Sequence, residues 1–429
     1  MKILLISYYF APNNTIAAVR TTKIAKYLTR FCHEVDVLCG RPNLIDPILQ
    51  NDMKYIKNIK IIEGAHILEK MRKNKNISNN DSKLPARYLK VIDKLLKNSI
   101  GLQKWIIFDA INSYVWASKC IKYLRKNCKN YNIVIASFGP IGSLLVGNWV
   151  RKYNLSQKYV IDIRDAIIPE YITIRSLKLL YERIQKNSFS LADHAVAVSD
   201  GIKLYLKQAG YEKNISIITN GYDPEDFFGR RITNENENED KIVFCYAGVL
   251  YEGKSDIRKL FHALHLIIAE NSIFKDKLLF LYAGKDISLI SNIAKEFSLE
   301  YLVRTFGYIP RDRVFQLFDQ SDILVMATWN TEKEKGVLTG KFFEYLYFKK
   351  PIISFVSGDK NAEIERIIVD LNIGMTFYND HTDIALLKEF IINEYDKKIH
   401  KKRINIAVDT SKYSYSELVL KYHKLITAL

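Results

Sequence analysis

The stretch Gly336-Val337-Leu338-Thr339-Gly340-Lys341-Phe342-Phe343-Glu344-Tyr345-Leu346 decides how the chain is read. Before it stands a short apolar run, Asp322-Ile323-Leu324-Val325-Met326-Ala327, which predicts a buried parallel strand. Residues 328–335 are mostly polar and read as a loop. From Lys341 onward, Phe342, Phe343, Leu346 and Tyr347 gather on one face of a helix. The stretch is therefore a strand, a loop with two glycines, and a helix opening on a lysine. Such a helix start offers unbonded N–H groups and the positive end of the helix dipole to an anion. Gly340 lets the backbone approach that anion, and Lys341 adds a full charge. Glu344, one turn further on, can accept hydrogen bonds from a sugar or ribose hydroxyl. Together they suit the diphosphate of a nucleotide sugar. The competing use is ordinary, with the aromatics in a core and the lysine solvated.

Outward from this stretch the same alternation repeats. Lys2-Ile3-Leu4-Leu5-Ile6-Ser7 reads as a strand, Tyr8 to Asn14 as a loop, Thr21 to Phe31 as a helix and Val35 to Leu38 as a strand. A strand, helix and strand in so short a span make a βαβ unit and imply a parallel sheet. Further strands are expected at 59–62, 133–137, 159–165, 195–199 and 215–218. Residues 230–240 break the pattern with Asn-Glu-Asn-Glu-Asn-Glu-Asp, which reads as an exposed linker. Strands resume at 242–246, 278–282, 302–306, 323–327 and 352–355, with helices from 362 to the end. The fold class is α/β, with two tandem doubly wound Rossmann-like domains over 1–229 and 241–405. A helical segment, 406–429, follows and is free to pack back on the first domain. Ligands of such sheets bind beyond the carboxyl ends of the strands, here in an inter-domain cleft.

Composition limits the alternatives. A chain of 429 residues holds two or three domains, and 48% hydrophobic with 26% charged residues excludes a disordered chain. Cys32, Cys39, Cys120, Cys128 and Cys245 form no C-x-x-C and no pairing with histidine. That argues for reduced thiols, against a zinc site or disulfide frame, and for no metal. The net charge is +17, and residues His66 to Lys104 hold ten Lys/Arg against three Asp/Glu. Interleaved leucines, isoleucines and tyrosine there suit peripheral contact with an anionic membrane through residues 66–104, with a solvated basic helix the competing reading. No zinc-finger, RRM or KH signature accompanies the charge, so no nucleic acid is expected. Met1 to Ile6 is too short for a secretory signal, which places the chain in the cytoplasm or on the inner face of the plasma membrane. The uncharged window Ile133 to Val150 carries Gly139-Pro140, Gly142 and Gly147, which suits a strand, a turn and a helix better than a membrane span.

These motifs resemble the GT-B glycosyltransferases, and within them family 4, over essentially the whole chain. Tyr8-Tyr9-Phe10-Ala11-Pro12 with Arg20 resembles the acceptor-side loop, and His33-Glu34-Val35 the "GHEV" lead, with Cys32 in place of glycine. Ser137-Phe138-Gly139-Pro140 and Asp162-Ile163-Arg164-Asp165 resemble the "S-x-G-P" and "D-x-R-D" segments of a bacterial polysaccharide-assembly subgroup. Asn220-Gly221-Tyr222-Asp223 is similar to the "NGxD" turn. Tyr246 to Lys254 looks like the first donor-domain loop, Phe306-Gly307-Tyr308-Ile309-Pro310 like the segment lining the base, and Gly340 to Leu346 with Lys350-Pro351-Ile352-Ile353 like "GKxFEYL…KPI". There are departures. The second of the family's paired glutamates matches Glu344, but the first falls on Gly336, two residues from Glu334. The usual donor-loop arginine falls near Val249, leaving Lys254 as the cation, and the family's histidine falls near Arg164-Asp165.

The resemblance implies a retaining, metal-independent glycosyltransferase with no cofactor. It would move a sugar from a UDP- or GDP-type nucleotide-sugar donor to a glycan or lipid-linked glycan acceptor. Donor residues on this reading are Lys254, Tyr308, Pro310, Thr339, Gly340, Lys341 and Glu344. Arg20, Asn13 and Gly139 fall on the acceptor side. Asp162, Arg164, Asp165 and Glu344 are the catalytic candidates. Three charges at the end of a buried strand are costly unless paired or solvated, so a structural ion pair competes for Asp162, Arg164 and Asp165. Core packing competes for Tyr308 and Pro310, and a plain surface role for Arg20 and Lys254. Glu344 is expected to face its ligand, so its loss costs little stability. A GT-B nucleotide-sugar 2-epimerase and a non-catalytic sugar-nucleotide or nucleic-acid binder are the other classes.

Overall fold

The computed structural model describes residues 1–64, 102–169, 171–228, 239–251, 253–332, 334–380, 382–400 and 408–429, with 102–105 as backbone only. The chain divides into two compact units. The first comprises Met1–Val198, Ile202–Thr219 and Leu418–Leu429, and the second Ser199–Gly201 with Asn220–Glu417. The basic stretch from 66 to 101 and most of the 230–240 linker lie outside the described residues.

Seven parallel strands form the first sheet: β1 (Lys2–Ile6), β2 (Glu34–Cys39), β3 (Asn58–Ile61), β4 (Tyr131–Ser137), β5 (Ser156–Ile163), β6 (His194–Ala197) and β7 (Ile215–Ile217). Their order is β3-β2-β1-β4-β5-β6-β7. The central strands are buried on both faces, which is why they read as unbroken apolar runs rather than as alternation. Leu4, Ile6, Val134, Ala136 and Ile161 meet Trp116, Leu144 and Tyr181 from the helices in one core.

Six strands form the second sheet: β8 (Ile242–Ala247), β9 (Leu278–Ala283), β10 (Val303–Thr305), β11 (Ile323–Asn330), β12 (Ile352–Gly358) and β13 (Gly374–Tyr378), ordered β10-β9-β8-β11-β12-β13 and again parallel. Phe244, Phe280, Val325 and Phe355 carry its core. Strand β13 replaces part of the helical run expected at the chain's end. It is a short edge strand that begins on a glycine and follows Asn372 in the left-handed conformation, so five residues give little periodic signal. The Ile133–Val150 window is β4, a turn and the Gly142–Lys152 helix. Among the described residues no helix is long and apolar enough to cross a membrane.

One local departure from the family-like pattern has a physical consequence. Helix Ile16–Arg30 ends at Phe31, and Cys32 follows at φ 60°, with its N–H on Thr29 O at 3.0 Å and the His33 N–H on Leu28 O at 3.2 Å. That is the left-handed turn in which glycine is favoured, and cysteine bears the strain of a Cβ there. Cys32→Gly is expected to stabilise the first unit by about 0.5–1 kcal/mol, the Cβ strain relieved less the added entropy of the unfolded chain. An unchanged or lowered urea midpoint would refute this.

Candidate functional site

Strand order in the second sheet reverses between β8 and β11, since β8 leads to β9 and β10 while β11 leads to β12 and β13. Loops leaving such a pair diverge, which opens a crevice beyond the carboxyl ends of the strands. The loop after β8 is pinned there. Tyr282 Oη donates to Gly248 O at 2.9 Å, and Asp286 Oδ2 accepts from the Leu250 N–H at 3.0 Å. Gly248 has φ +137°, and a Cβ on it would take the place of the Lys341 ammonium. Lys341 thus reaches from the loop after β11 to the loop after β8.

It does so from the start of helix Gly340–Phe348, whose cap residue Thr339 is extended and makes no side-chain hydrogen bond to the helix. The first N–H groups of that helix are left without a side-chain cap. Burial pushes the Lys341 ammonium down to about 8, against the opposing pull of the Glu344 and Asp286 carboxylates. No carboxylate among the described residues forms an ion pair with it. A part-buried cation without an ion pair, beside a helix start without a side-chain cap, is an arrangement chemically suited to an anion.

Glu344 sits one turn into the helix and is 5% exposed. Its Oε1 accepts from Arg311 Nε at 2.9 Å and Nη2 at 2.7 Å, and Arg311 Nη2 lies 3.2 Å from Asp226 Oδ2. Burial raises the Glu344 carboxyl above its usual range, more than the Arg311 guanidinium lowers it. Its Oε2 meets no donor among the described residues. The expectation that losing Glu344 costs little stability is corrected, because the carboxylate is also one half of a buried ion pair.

Other donor-side candidates divide. Tyr308 and Pro310 are exposed, with Lys285 Nζ 5.3 Å from the Tyr308 ring, so neither is a core residue. Pro310 caps the helix that opens on Arg311, the partner of Glu344. Thr339 and Gly340 form the helix start itself. Lys254 is engaged elsewhere: it pairs with Glu334 and lies 5.0 Å from the Trp329 ring, while Trp329 Nε1 donates to Glu334 Oε2 at 2.6 Å. Its charge is met by a carboxylate, whereas that of Lys341 is not.

The first sheet reverses between β1 and β4. Here the structure brings Arg20 and Asp162 together in a closed network. Arg20 Nη2 and Nε donate to Asp162 at 2.7 and 3.1 Å, and its other N–H groups reach the Thr219 and Ile218 carbonyls at 2.7 and 2.9 Å. Ser137 Oγ and Tyr422 Oη complete the Asp162 carboxylate at 2.9 and 2.8 Å. Burial alone would raise that carboxyl, but the Arg20 guanidinium holds it below its usual range. Both residues are buried, so neither presents a free group to a substrate. Asp162 as a catalytic group and Arg20 as an acceptor contact are corrected to partners of a buried ion pair. Asn13 is likewise turned inward, its Oδ1 accepting from the Asn43 N–H at 3.2 Å.

Arg164 and Asp165 stand outside that network. Arg164 Nε and Nη2 donate to Phe138 O at 3.0 and 2.6 Å, and Asp165 is exposed. Gly139, at φ +115°, lies against this guanidinium, and a Cβ there would come 2.7 Å from Nη2. Sequence reasoning missed Arg311, Asp286 and Asp109. Arg311 is 33 positions from Glu344, so no spacing rule links them. Asp109 is pushed up to about 6 by burial, beside Tyr9 and Tyr181. Its only sequence signal is a lone acid in an apolar helix.

Two doubly wound units in tandem, each with a crevice at its strand reversal, make up the GT-B fold, and comparison with solved structures agrees. Sucrose-phosphate synthase from Thermosynechococcus elongatus aligns over 100% of both chains at 13% identity and a TM-score of 0.59. The lipopolysaccharide outer core galactosyltransferase WaaB aligns over 100% of this chain and 99% of its own, at 16% identity and 0.56. A TarM variant from S. aureus in complex with fondaparinux, α-GlcNAc-glycerol and UDP aligns over 99% of each chain, at 14% identity and 0.58. At such identities the likeness is one of fold. No protein-family model and no curated protein matches the sequence.

Two substitutions test these assignments. Asp162→Ala strands a buried guanidinium and should cost about 3–5 kcal/mol. A urea midpoint within error of the parent would show that the network carries no stability. Glu344→Ala should cost less, about 2–3 kcal/mol, because Asp226 remains beside Arg311. A loss below measurement would return Glu344 to a purely ligand-facing role.

Proposed function

We propose that the chain is a glycosyltransferase that takes its sugar from a nucleotide diphosphate, with the diphosphate held at the Gly340–Phe348 helix start. The observation that carries this is the Lys341 ammonium, desolvated, without an ion-pair partner among the described residues, and seated against Gly248. Cleaving the bond between sugar and diphosphate leaves extra negative charge on the leaving group. Donors fixed in advance stabilise that charge best. Lys341 and the open helix N–H groups are such donors, and they do this without calling on a metal. Glu344 Oε2 accepts from a ribose hydroxyl, and the exposed Tyr308 ring offers a face to the base. UDP is favoured because it is the nucleotide in the TarM complex.

In the first unit, Arg164 and Asp165 at the carboxyl end of β5 are the groups left to meet an acceptor. On the motif resemblance the acceptor is a glycan of a surface polysaccharide, free or lipid-linked, and the anomeric configuration is retained. Asp165 would accept a hydrogen bond from the attacking hydroxyl, and Arg164 would meet an acceptor phosphate or carboxylate.

The pH dependence of donor binding tests the assignment of Lys341. Its pKa in the free protein is depressed, so the ammonium is present below about 8 and lost as pH rises through it. The affinity for UDP-glucose, UDP-galactose or UDP-N-acetylglucosamine should hold to about pH 7.5 and then fall by about tenfold per pH unit. Lys341→Met should bind more weakly at pH 7 and show no such fall. Calorimetry from pH 6.5 to 9.5 reads both, and a parent affinity independent of pH and of Lys341 would sink the reading. UDP release that depends on added glycan separates transfer from simple binding.

A further inference from the structure

The outer layer of the first unit takes no part in the chemistry above. Helices Leu102–Lys126, Gly142–Lys152 and Arg175–Leu191 contribute side chains to a groove of about 420 Å³. Ile121, Leu145, Trp149 and Leu191 give it an apolar lining, and Tyr114 and Lys152 also line it. Tyr114 is 57% exposed, and Tyr153, whose ring leans on Trp149 at 5.0 Å, is 55% exposed. The Trp149 indole N–H is buried and meets no acceptor among the described residues.

The charge around this groove has one sign. Among their described side chains the three helices carry ten lysines and arginines against two acids, Asp109 and Glu182. Several of the cations sit at the rim. Arg125 lies 5.6 Å from the Trp149 ring, and Lys152 lines the groove itself. Lys122 and Lys186 stand one helical turn from the lining residues Ser118 and Ser190.

A basic surface alone fits any polyanion, so the apolar part decides the partner. Half-exposed Tyr114 and Tyr153 beside the part-buried Trp149 and an apolar lining, with long cationic side chains at the rim, match the interfacial zone of a bilayer. There the exposed tyrosine rings sit at headgroup level and the cations meet lipid phosphates. A second copy of this face would set rim cations against rim cations, which opposes self-association. Single-stranded nucleic acid would need open ring faces to stack on, but Trp149 is flanked by Tyr153 and Arg125.

We propose that this helical face seats the protein on an anionic lipid bilayer. The surface is made of described residues, distinct from the 66–101 stretch, and the inference stands or falls independently of the glycosyltransferase reading.

The full chain should co-sediment with phosphatidylcholine vesicles containing about 30 mol % phosphatidylglycerol and not with phosphatidylcholine alone. Raising salt from about 0.1 to about 0.5 M should weaken that binding severalfold. The combined variant Lys122→Glu, Arg125→Glu, Lys152→Glu and Lys186→Glu should lose at least about tenfold in affinity. A charge-matched control, Lys275→Glu, Lys295→Glu, Lys349→Glu and Lys360→Glu in the second unit, should bind like the parent. Tyr153→Ser, at an exposed site, should weaken the binding that survives high salt. Thermal melts confirm that each variant folds. Equal losses in variant and control would reduce the effect to net charge and overturn the proposal. So would binding to phosphatidylcholine alone, dimerisation abolished by the first variant, or a preference for a short single-stranded DNA over the vesicles.

Discussion

The second unit is built around a part-buried ammonium group that forms no ion pair among the described residues. Holding Lys341 in that state is unfavourable, as its depressed pKa records, and the fold accepts it for a structural reason. Gly248 lacks a side chain where the ammonium must sit, and Tyr282 and Asp286 fix the loop that carries Gly248. The two carboxylates that act on Lys341 through space each hydrogen-bond another partner. Glu344 gives Oε1 to Arg311, and Asp286 takes the Leu250 N–H. On the proposed reading, the contacts that fix Gly248 and hold Lys341 against it set the charge in place ahead of an incoming anion.

The first unit solves the same topological problem in the opposite way. At its strand reversal the most buried charges, Arg20 and Asp162, satisfy each other and two backbone carbonyls, with Ser137 and Tyr422 closing the network. A carboxylate and guanidinium so completely used hold strand ends in place and have nothing to offer a substrate. On the proposed reading, recognition falls to groups just beyond them. Arg164 is tied to the Phe138 carbonyl and touches no carboxylate among the described residues, and Asp165 is exposed. Three positions, from Asp162 inside β5 to Asp165 just beyond its end, separate a buried paired charge from an exposed one.

Much of this was legible in the sequence because parallel strands buried on both faces leave unbroken apolar runs. The tandem arrangement, the strand preceding Gly336 and the helix opening at Lys341 all follow from that signal. The Gly340–Glu344 segment was readable since its chemistry is local, lying within two turns of one helix. What escaped was non-local. Arg20 and Asp162 are 142 positions apart, so the sequence shows two charges near strand ends and not that they cancel. Lys254 and Glu334, 80 positions apart, form the same kind of hidden pair. Strand β13 was lost because an edge strand of five residues opening on glycine has neither length nor alternation to betray it.

These pairings change how a charged motif should be weighed. A lysine or aspartate at the carboxyl end of a parallel strand is a site candidate only as long as no distant partner claims it, and partnership is a property of the fold. Ranked by sequence alone, Lys254 and Lys341 are equals, each a cation in a glycine-containing loop. Ranked by what they touch, one is neutralised and the other is not. The same criterion separates Asp162 from Asp165. The basic groove outside the Gly142–Lys152 helix is a third instance, since its cations outnumber the acids on their own helices and its rings are left half-exposed. Across the described residues, the features that point outward to a ligand are those whose electrostatic demands the protein itself leaves unmet.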